Sequence, residues 1–392
     1  MTDQLSLIVT GGLGNMPFAG VAWQVLHYLE GFRRLGHRVF YLEDTGAWPF
    51  DPERGIVSDD AGPALAYVRR MLKRVQLDDA WAYRNAVDGR LHGASEERVR
   101  GELECADALV NVSAVTVLGE EHLRVPVRIY LETDPVLAQI EIAQGDERTI
   151  RLLGAHTHHF TYGENFGAPD CRVPLERFTY HPTRQPVVLD WWMRRRGDRP
   201  PRRSFTTVAS WKQTYKDIEW QGEMLTWSKD VEFERFLDLP RRVSRPLELA
   251  LAIDDDDDAI TRLSAAGWDV VPARPLSDDL DRYRHYLRFS AGEFSVAKVQ
   301  NARLRSGWFS DRTACYLAAG RPAVVQDTGF GNILPVGDGL FAFSTLDEAA
   351  AAVEAIESDY DLHARSAAEL AREHFAAEVV LGRMLAAAGL SG

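Results

Sequence analysis

Residues 306–331, SGWFSDRTACYLAAGRPAVVQDTGFG, place a helix, a glycine stop, an apolar strand and a glycine turn in immediate succession. Thr313 to Ala319 is the helical run, closed by Gly320 with Pro322 just beyond, as helix ends favour. Ala323 to Val325 is the strand; it ends in Gln326 and Asp327, and Thr328-Gly329 turns the chain. The helix opens on Ser310-Asp311-Arg312. Ser310 suits an N-cap, a helix start attracts phosphate through its free amides and dipole, and Arg312 adds a charged donor. Plain capping of a surface helix is the other reading of these three residues.

The alternation continues on both sides. In the C-terminal half SFTTVASW (204–211), PLELALAI (246–253) and GWDVVPA (267–273) read as further strands, each followed by a helical or loop segment. At the N-terminus a strand from Leu5 to Thr10 meets the turn GGLGNMPFAG, then an amphipathic helix, VAWQVLHYLEGFRRLG, then a strand from His37 to Leu42 that ends in Glu43-Asp44. Strand, glycine turn, helix, strand opens a doubly wound parallel sheet, whose ligands gather at the carboxyl ends of its strands. Residues 62 to 106 read as largely helical; ALVNVSAV, VRIYLETDP and HHFTYGEN read as strands. PTRQPVVLDWWMRRRGDRPPRR (182–203), rich in Pro and Arg, reads as a linker. The acidic run 254–258 reads as a solvated loop opening a helix.

The 392 residues suit two domains of roughly 180 each. Forty-five basic against 58 acidic residues leave a formal charge of −13, which disfavours broad nucleic-acid or anionic-membrane binding. Three cysteines without CxxC spacing suit a reducing compartment. Calcium-loop spacing is absent, His156 and His158 lack a third ligand, and no metal is expected. No stretch reaches the ~20 apolar residues of a membrane span, so a cytoplasmic protein is expected.

The order A-A-G-R-P, V-V, D-T-G, then L-P-V-G-D-G-L-F-A-F and D-E-A-A-A-A-V, resembles the donor domain of GT-B glycosyltransferases, in detail over about residues 290 to 375. The resemblance implies an α/β fold of two facing Rossmann-like domains with a cleft between them. Residues 1–185 would bind the acceptor, 186–203 link, 204–375 bind a nucleotide-sugar, and 376–392 form a helix packing back on the first domain. It implies transfer of a sugar from a nucleotide-sugar (UDP first, with dTDP and GDP as alternatives) to a hydroxyl of a small molecule, glycan or modified nucleobase, with no cofactor. A sugar-nucleotide epimerase and a non-catalytic nucleotide-sugar-binding protein are the rival readings. Many retaining members carry two glutamates eight positions apart; aligned on Gly320, those places hold Gly307 and Cys315.

The donor candidates are then Ser310, Asp311, Arg312, Thr328 and Gly329. Trp211 and Lys212 stand at the place where the family pairs basic residues with diphosphate, and Lys229 is a further candidate; solvent-exposed lysines and core tryptophans are the plainer readings. Glu293 offers a carboxylate for ribose hydroxyls. In the first turn, Gly14 resembles the glycine-rich turn of acceptor domains, whose backbone amides would approach the donor phosphates across the cleft, and Asn15, a candidate acceptor contact, stands where some inverting relatives place a histidine base. As general base the strand-end carboxylate Asp134 comes first, with Glu132 and Asp44 behind it; turn capping is the alternative for each. His158, Glu164 and Asn165 are candidate acceptor contacts. Oligomeric state is not legible.

Overall fold

Two parallel sheets, each built from apolar runs buried on both faces, form the frame of the computed structural model, which describes residues 4–194, 201–253 and 258–390. The first sheet comprises β1 (Ser6–Thr10), β2 (Arg38–Glu43), β3 (Trp81–Arg84), β4 (Leu91–Gly93), β5 (Ala108–Val112), β6 (Val127–Glu132), β7 (His158–Thr161) and β8 (Tyr180–Pro182). Their spatial order is β8-β7-β6-β5-β1-β2-β3-β4, parallel except for the β3–β4 hairpin pair. The second sheet comprises β9 (Phe205–Ser210), β10 (Leu247–Ala252), β11 (Asp269–Pro272), β12 (Gly292–Ser295), β13 (Ala323–Gln326) and β14 (Leu340–Phe343), in the order β11-β10-β9-β12-β13-β14. Every pair in it is parallel.

Both orders reverse direction beside their first strand. The switch points, between β1 and β5 and between β9 and β12, open crevices at the carboxyl ends of those strands. The two crevices face each other, so the fold is that of two facing Rossmann-like domains. One hydrophobic core runs through both: Leu7 and Val110 of the first sheet belong to the same buried cluster as Tyr283, Leu317 and Phe375.

The helices that matter for the cleft are α1 (Ala19–Arg34), α2 (Asp311–Ala318) and α3 (Ala377–Ala387). α1 follows the first glycine turn, and its buried stripe includes Trp23, Leu26, His27 and Phe32. α3 returns from the C-terminal end of the chain to lie on α1. The contact is close enough that a Cβ on Gly31 would sit 2.5 Å from Leu381 Cδ1. The chain therefore crosses between the domains twice. The two crossings are joined where the Val187 amide donates to the Phe375 carbonyl at 2.7 Å and the Ala377 amide to the Val187 carbonyl at 2.9 Å.

One expectation fails locally. Residues 62 to 106 are not continuously helical: the Gly62–Arg74 helix is followed by the β3–β4 hairpin and only then by a helix over Glu96–Cys105. The tryptophan and tyrosine of WAYR fill the core from an extended strand, and this tertiary packing outweighs the charged, helix-like composition around them. The segment read as a linker begins inside the core, since Val187, Val188 and Trp192 are fully buried. The rest of that proline- and arginine-rich segment, 195–200, and the acidic residues 254–257 lie outside the described residues.

Candidate functional site

A cavity of about 360 Å³ lies between the two switch points. Its N-terminal wall holds Met16, Gly20, Gln24, Ser113, Thr133 and Asp134; its C-terminal wall holds Lys216, Trp227, Tyr283, Ser310, Asp311 and Arg312.

Asp134 follows β6 and crosses the cleft. Lys298, in the loop after β12, donates to both carboxylate oxygens at 3.2 and 3.0 Å. Lys216, in the loop after β9, donates at 3.4 Å, and the Trp227 indole N–H completes the clasp. Lys298 also stacks over the Trp227 ring, 3.3 Å from its centroid. Burial opposes the charge on Asp134, but the two ammonium groups outweigh it and hold the carboxyl below its usual range. Burial in turn brings Lys298 down to about 8, against the pull of Asp134.

Asp311, the first residue of α2, has a different environment. Gln24 Nε2 donates to Oδ2 at 2.9 Å, while Oδ1 is buried without a partner. Burial raises its proton affinity to about 7, against the Gln24 hydrogen bond and the charge of Arg312. Gln24 is itself positioned, since Ser113 Oγ donates to its Oε1 at 3.0 Å and lies 2.8 Å from Thr133 Oγ1. A polar chain thus links Asp311 to the wall that carries Asp134. Seven non-glycine residues among those described have positive φ, and Ser113, Ala114, Val136 and Arg305 of these stand on cleft loops. Such backbone is costly and concentrates at functional sites.

Arg312 points below the cavity floor. Its guanidinium donates to Glu293 at 2.7 Å, to the Val208 carbonyl at 2.6 Å and to Ser295 Oγ at 2.8 Å. It therefore ties the ends of β9 and β12 together. Lys229 lies beside it, 3.4 Å from Ser295 Oγ. Burial first, and then the Arg312 charge, hold that ammonium well below the ordinary lysine range.

Several candidates named from the sequence are committed elsewhere. Glu293 is completely buried against Arg312 and does not face the cleft. Trp211 stacks on Phe233 in the core, and Lys212 is exposed outside the cavity. Ser310 makes no side-chain cap; its carbonyl accepts from Gln185 at 2.7 Å. The amides of Gly14 and Asn15 do not face the cleft as a phosphate cradle, because both donate to Glu43, Gly14 at 2.9 Å and Asn15 at 3.1 Å. The Asn15 side chain fastens the turn to the Ala47 and Trp48 carbonyls. Glu132 is spent on Gln139 and Thr161, and Asp44 on Arg84 at 2.9 Å.

His158 is the clearest misplacement. It is the first residue of β7, roughly 10 Å from the carboxyl end that faces the cleft, and it bonds Thr157. His156 is occupied by Asn111 and the Leu152 carbonyl. Glu164 is held by Arg184 at 2.6 Å. Asn165 latches the domains: its Nδ2 donates to Asp170 and the Arg305 carbonyl, and its Oδ1 accepts from Asn332. Thr328 and Gly329 shape the facing loop, with Thr328 Oγ1 donating to the Trp308 carbonyl. A Cβ on Gly329 would meet Asn165 Nδ2 at 2.5 Å.

The same latch gives a steric reason for one of the two missing glutamates. A Cβ on Gly307, whose φ is +83°, would lie 2.2 Å from the Asn165 amide nitrogen. Cys315 is buried 3.9 Å from His27. The place of Gly307 admits no side chain without displacing Asn165, whereas Cys315 lines the cavity.

Lys216 and Lys298 were not singled out from the sequence, although composition marks them. Only five of the chain's 45 basic residues are lysines, namely Lys73, Lys212, Lys216, Lys229 and Lys298. Four of the five stand around the second switch point.

Among the described residues, Asp44, Glu121 and His122 bring potential metal ligands within 4.8 Å of one another. The Arg84 guanidinium already lies there, 2.9 Å from Asp44 and 3.4 Å from Glu121. Among the same residues no helix is long and apolar enough to cross a membrane.

No protein-family model matches the sequence. No curated protein matches it. Solved structures match over nearly its whole length. Anabaena HepE in complex with UDP-glucose is similar with a TM-score of 0.57 and 10% identity, covering 98% of this chain and 99% of that one. AviGT4, a glycosyltransferase involved in avilamycin A biosynthesis, gives 0.52 and 12%, covering 98% and 97%. An alpha-glucosyltransferase in complex with UDP and a 13-mer DNA containing an HMU base gives 0.58 and 10%, covering 98% and 100%. The likeness at this identity is one of fold, and that fold is GT-B.

Proposed function

We propose that the protein is a glycosyltransferase that moves a sugar from a nucleoside-diphosphate sugar, a UDP-sugar first, to a hydroxyl of an acceptor. The observation that carries this is the convergence of Lys216, Lys298 and the Trp227 indole at the second switch point, facing a cavity walled by both domains. Paired ammonium groups at the carboxyl ends of β9 and β12 suit a diphosphate, because they neutralise the charge that develops on the leaving group without a metal. The UDP and UDP-glucose complexes among proteins of the same fold support this choice.

In this reading Arg312 is a positioning residue that holds the two loop-bearing strand ends in register. The unpartnered Asp311 Oδ1 accepts a hydroxyl of the sugar. The acceptor approaches from the wall of Met16, Gln24, Ser113 and Thr133, and closure excludes water that would otherwise hydrolyse the donor. Transfer forms a bond between the acceptor oxygen and the anomeric carbon. The bond from that carbon to the diphosphate oxygen breaks, and its electron pair leaves with the nucleoside diphosphate. The proton of the attacking hydroxyl passes to Asp134.

A thermal-shift panel of UDP, dTDP, GDP and their common hexose esters tests the proposal. UDP and one UDP-sugar are expected to raise the melting temperature. No stabilisation by any member would refute it, and conversion of the donor sugar with no acceptor present would point to an epimerase instead.

A further inference from the structure

We propose that Asp134 and the donor's diphosphate compete for the same three groups, Lys216, Lys298 and the Trp227 indole, so that donor binding is what releases Asp134 to act as base. The inference rests on the glycosyltransferase reading and adds a coupling between donor binding and base activation.

The placement of the clasp comes first. In a doubly wound sheet an anionic ligand sits in the crevice at the switch point. Here that crevice is entered by a carboxylate from the other domain, and all three of its donors come from C-terminal-domain loops. A carboxylate and a phosphate offer these donors the same acceptor oxygens. One carboxylate balances only one of the two ammonium charges, however, and a diphosphate supplies more charge and more oxygens to the same pair.

The kind of cation is the second argument. Arginines elsewhere in the cleft have fixed structural partners: Arg312 with Glu293, Arg305 with Asp170 and Asp327, Arg184 with Glu164. The clasp uses two lysines, in a chain that has five. A rigid fork suits a permanent pair, whereas an ammonium on a flexible stem can change partners without losing geometry.

The backbone supplies the third. Two residues after Asp134, Val136 has φ of 99°, a conformation costly to a β-branched side chain. Strain of this kind persists where surrounding contacts over-determine it. The clasp on Asp134 is one such contact, beside Gln139 Oε1, which accepts from the Val136 amide at 2.7 Å.

The groups facing Asp134 make the released carboxylate a better base. Asp311 faces it across the cavity, Tyr215 packs on Trp227, and Lys216 and Lys298 are the cations that now hold it. Once both lysines turn to the diphosphate, burial and the negative charges of Asp311 and of the diphosphate itself all raise its proton affinity. The acceptor proton then has a site that does not exist while the lysines hold Asp134, and nucleophile activation waits on donor.

Isothermal titration of UDP and inorganic pyrophosphate into the full-length wild type, Asp134→Asn and Lys298→Met tests this. With the competitor removed, Asp134→Asn is expected to bind both probes about tenfold more tightly, and Lys298→Met about tenfold more weakly. Sugar transfer by Asp134→Asn should nevertheless fall by about 10²-fold or more, the contribution of a general base. UDP affinity in Asp134→Asn equal to or weaker than that of a wild type that binds UDP overturns the competition and leaves the glycosyltransferase reading intact. If UDP and pyrophosphate bind none of the three proteins and no nucleotide of the thermal-shift panel stabilises the wild type, both proposals fall. Should Asp134→Asn melt below the assay temperature, Asp134→Ser carries the same expectations.

Discussion

Glu43 closes the first glycine turn from inside, and replacing it with glutamine makes a quantitative test. Its oxygens accept from the Gly14 amide at 2.9 and 3.0 Å, the Asn15 amide at 3.1 Å and the Tyr41 hydroxyl at 2.6 Å, with only 1% of the residue exposed. Burial raises its proton affinity from 4.5 to about 7, because these hydrogen bonds only partly offset the loss of water. Between those two pH values the folded chain keeps a proton that the unfolded chain has released. Its contribution to stability is therefore full below pH 4.5 and is lost as pH rises towards 7. At about 1.4 kcal/mol for each pH unit between the two values, the loss comes to about 3 kcal/mol. Glu43→Gln has no such titration. Its amide group also faces two backbone N–H donors, which costs about 1–3 kcal/mol at every pH. The pH dependence is thus the diagnostic quantity rather than the offset. In urea denaturation at pH 4.5, 5.5, 6.5 and 7.5, the variant should gain about 3 kcal/mol relative to the wild type across the series. Parallel profiles for the two proteins would show that Glu43 does not carry a buried, costly charge, and the account of the turn would be wrong.

Two further outcomes follow from the cleft. Asp311 faces Gln24 from α1, Arg312 from its own helix and Asp134 from the opposite wall, and it titrates near pH 7; transfer should rise through that pH as Asp311 ionises and becomes a full acceptor. Asp311→Asn should abolish that limb of the pH–rate profile and lower turnover roughly 10-fold or more, while an unchanged limb would remove Asp311 from the site. Gly307→Ala, at φ +83° with a Cβ placed 2.2 Å from the Asn165 nitrogen, should destabilise by well over ~1 kcal/mol and lower the melting temperature; an unaltered melt would deny the close approach of the two domains there.

What could be read in advance follows from where each residue's environment originates. The strand and glycine stop of residues 306–331 are local chemistry, and the structure has Asp311–Ala318 helical and Ala323–Gln326 in strand. Asp134 and Asp311 could be named because each ends or begins a regular element beside a turn. Lys216 and Lys298 escaped because their importance lies in facing a carboxylate more than 80 positions away, a relation no local pattern carries. Glu293 shows the converse: a carboxylate near a strand end looks free for a ligand until its buried partner, Arg312, is seen, whereas Trp211 lies in the core, its plainer reading. The β3–β4 hairpin is hidden by charged flanks, and His158 opens β7 at the end away from the cleft.

The paired crossings at Val187 and Ala376 carry a mechanical consequence. Two polypeptide strands hydrogen-bonded side by side behave as a pin and not as a tether: they resist translation and twist and leave one easy axis of rotation. Trp192, fully buried with its ring 5.1 Å from Trp23, seats that pin in α1, and α3 grips the same face of that helix further along, at Gly31. Movement of one domain against the other is then smallest at the pin and grows with distance from it. A swing of this kind lets opposing side chains part and meet again in the same register on every cycle. It also makes the N-terminal half incomplete without the last eleven-residue helix of the chain, so the two halves form one machine that cannot be cut at its linker.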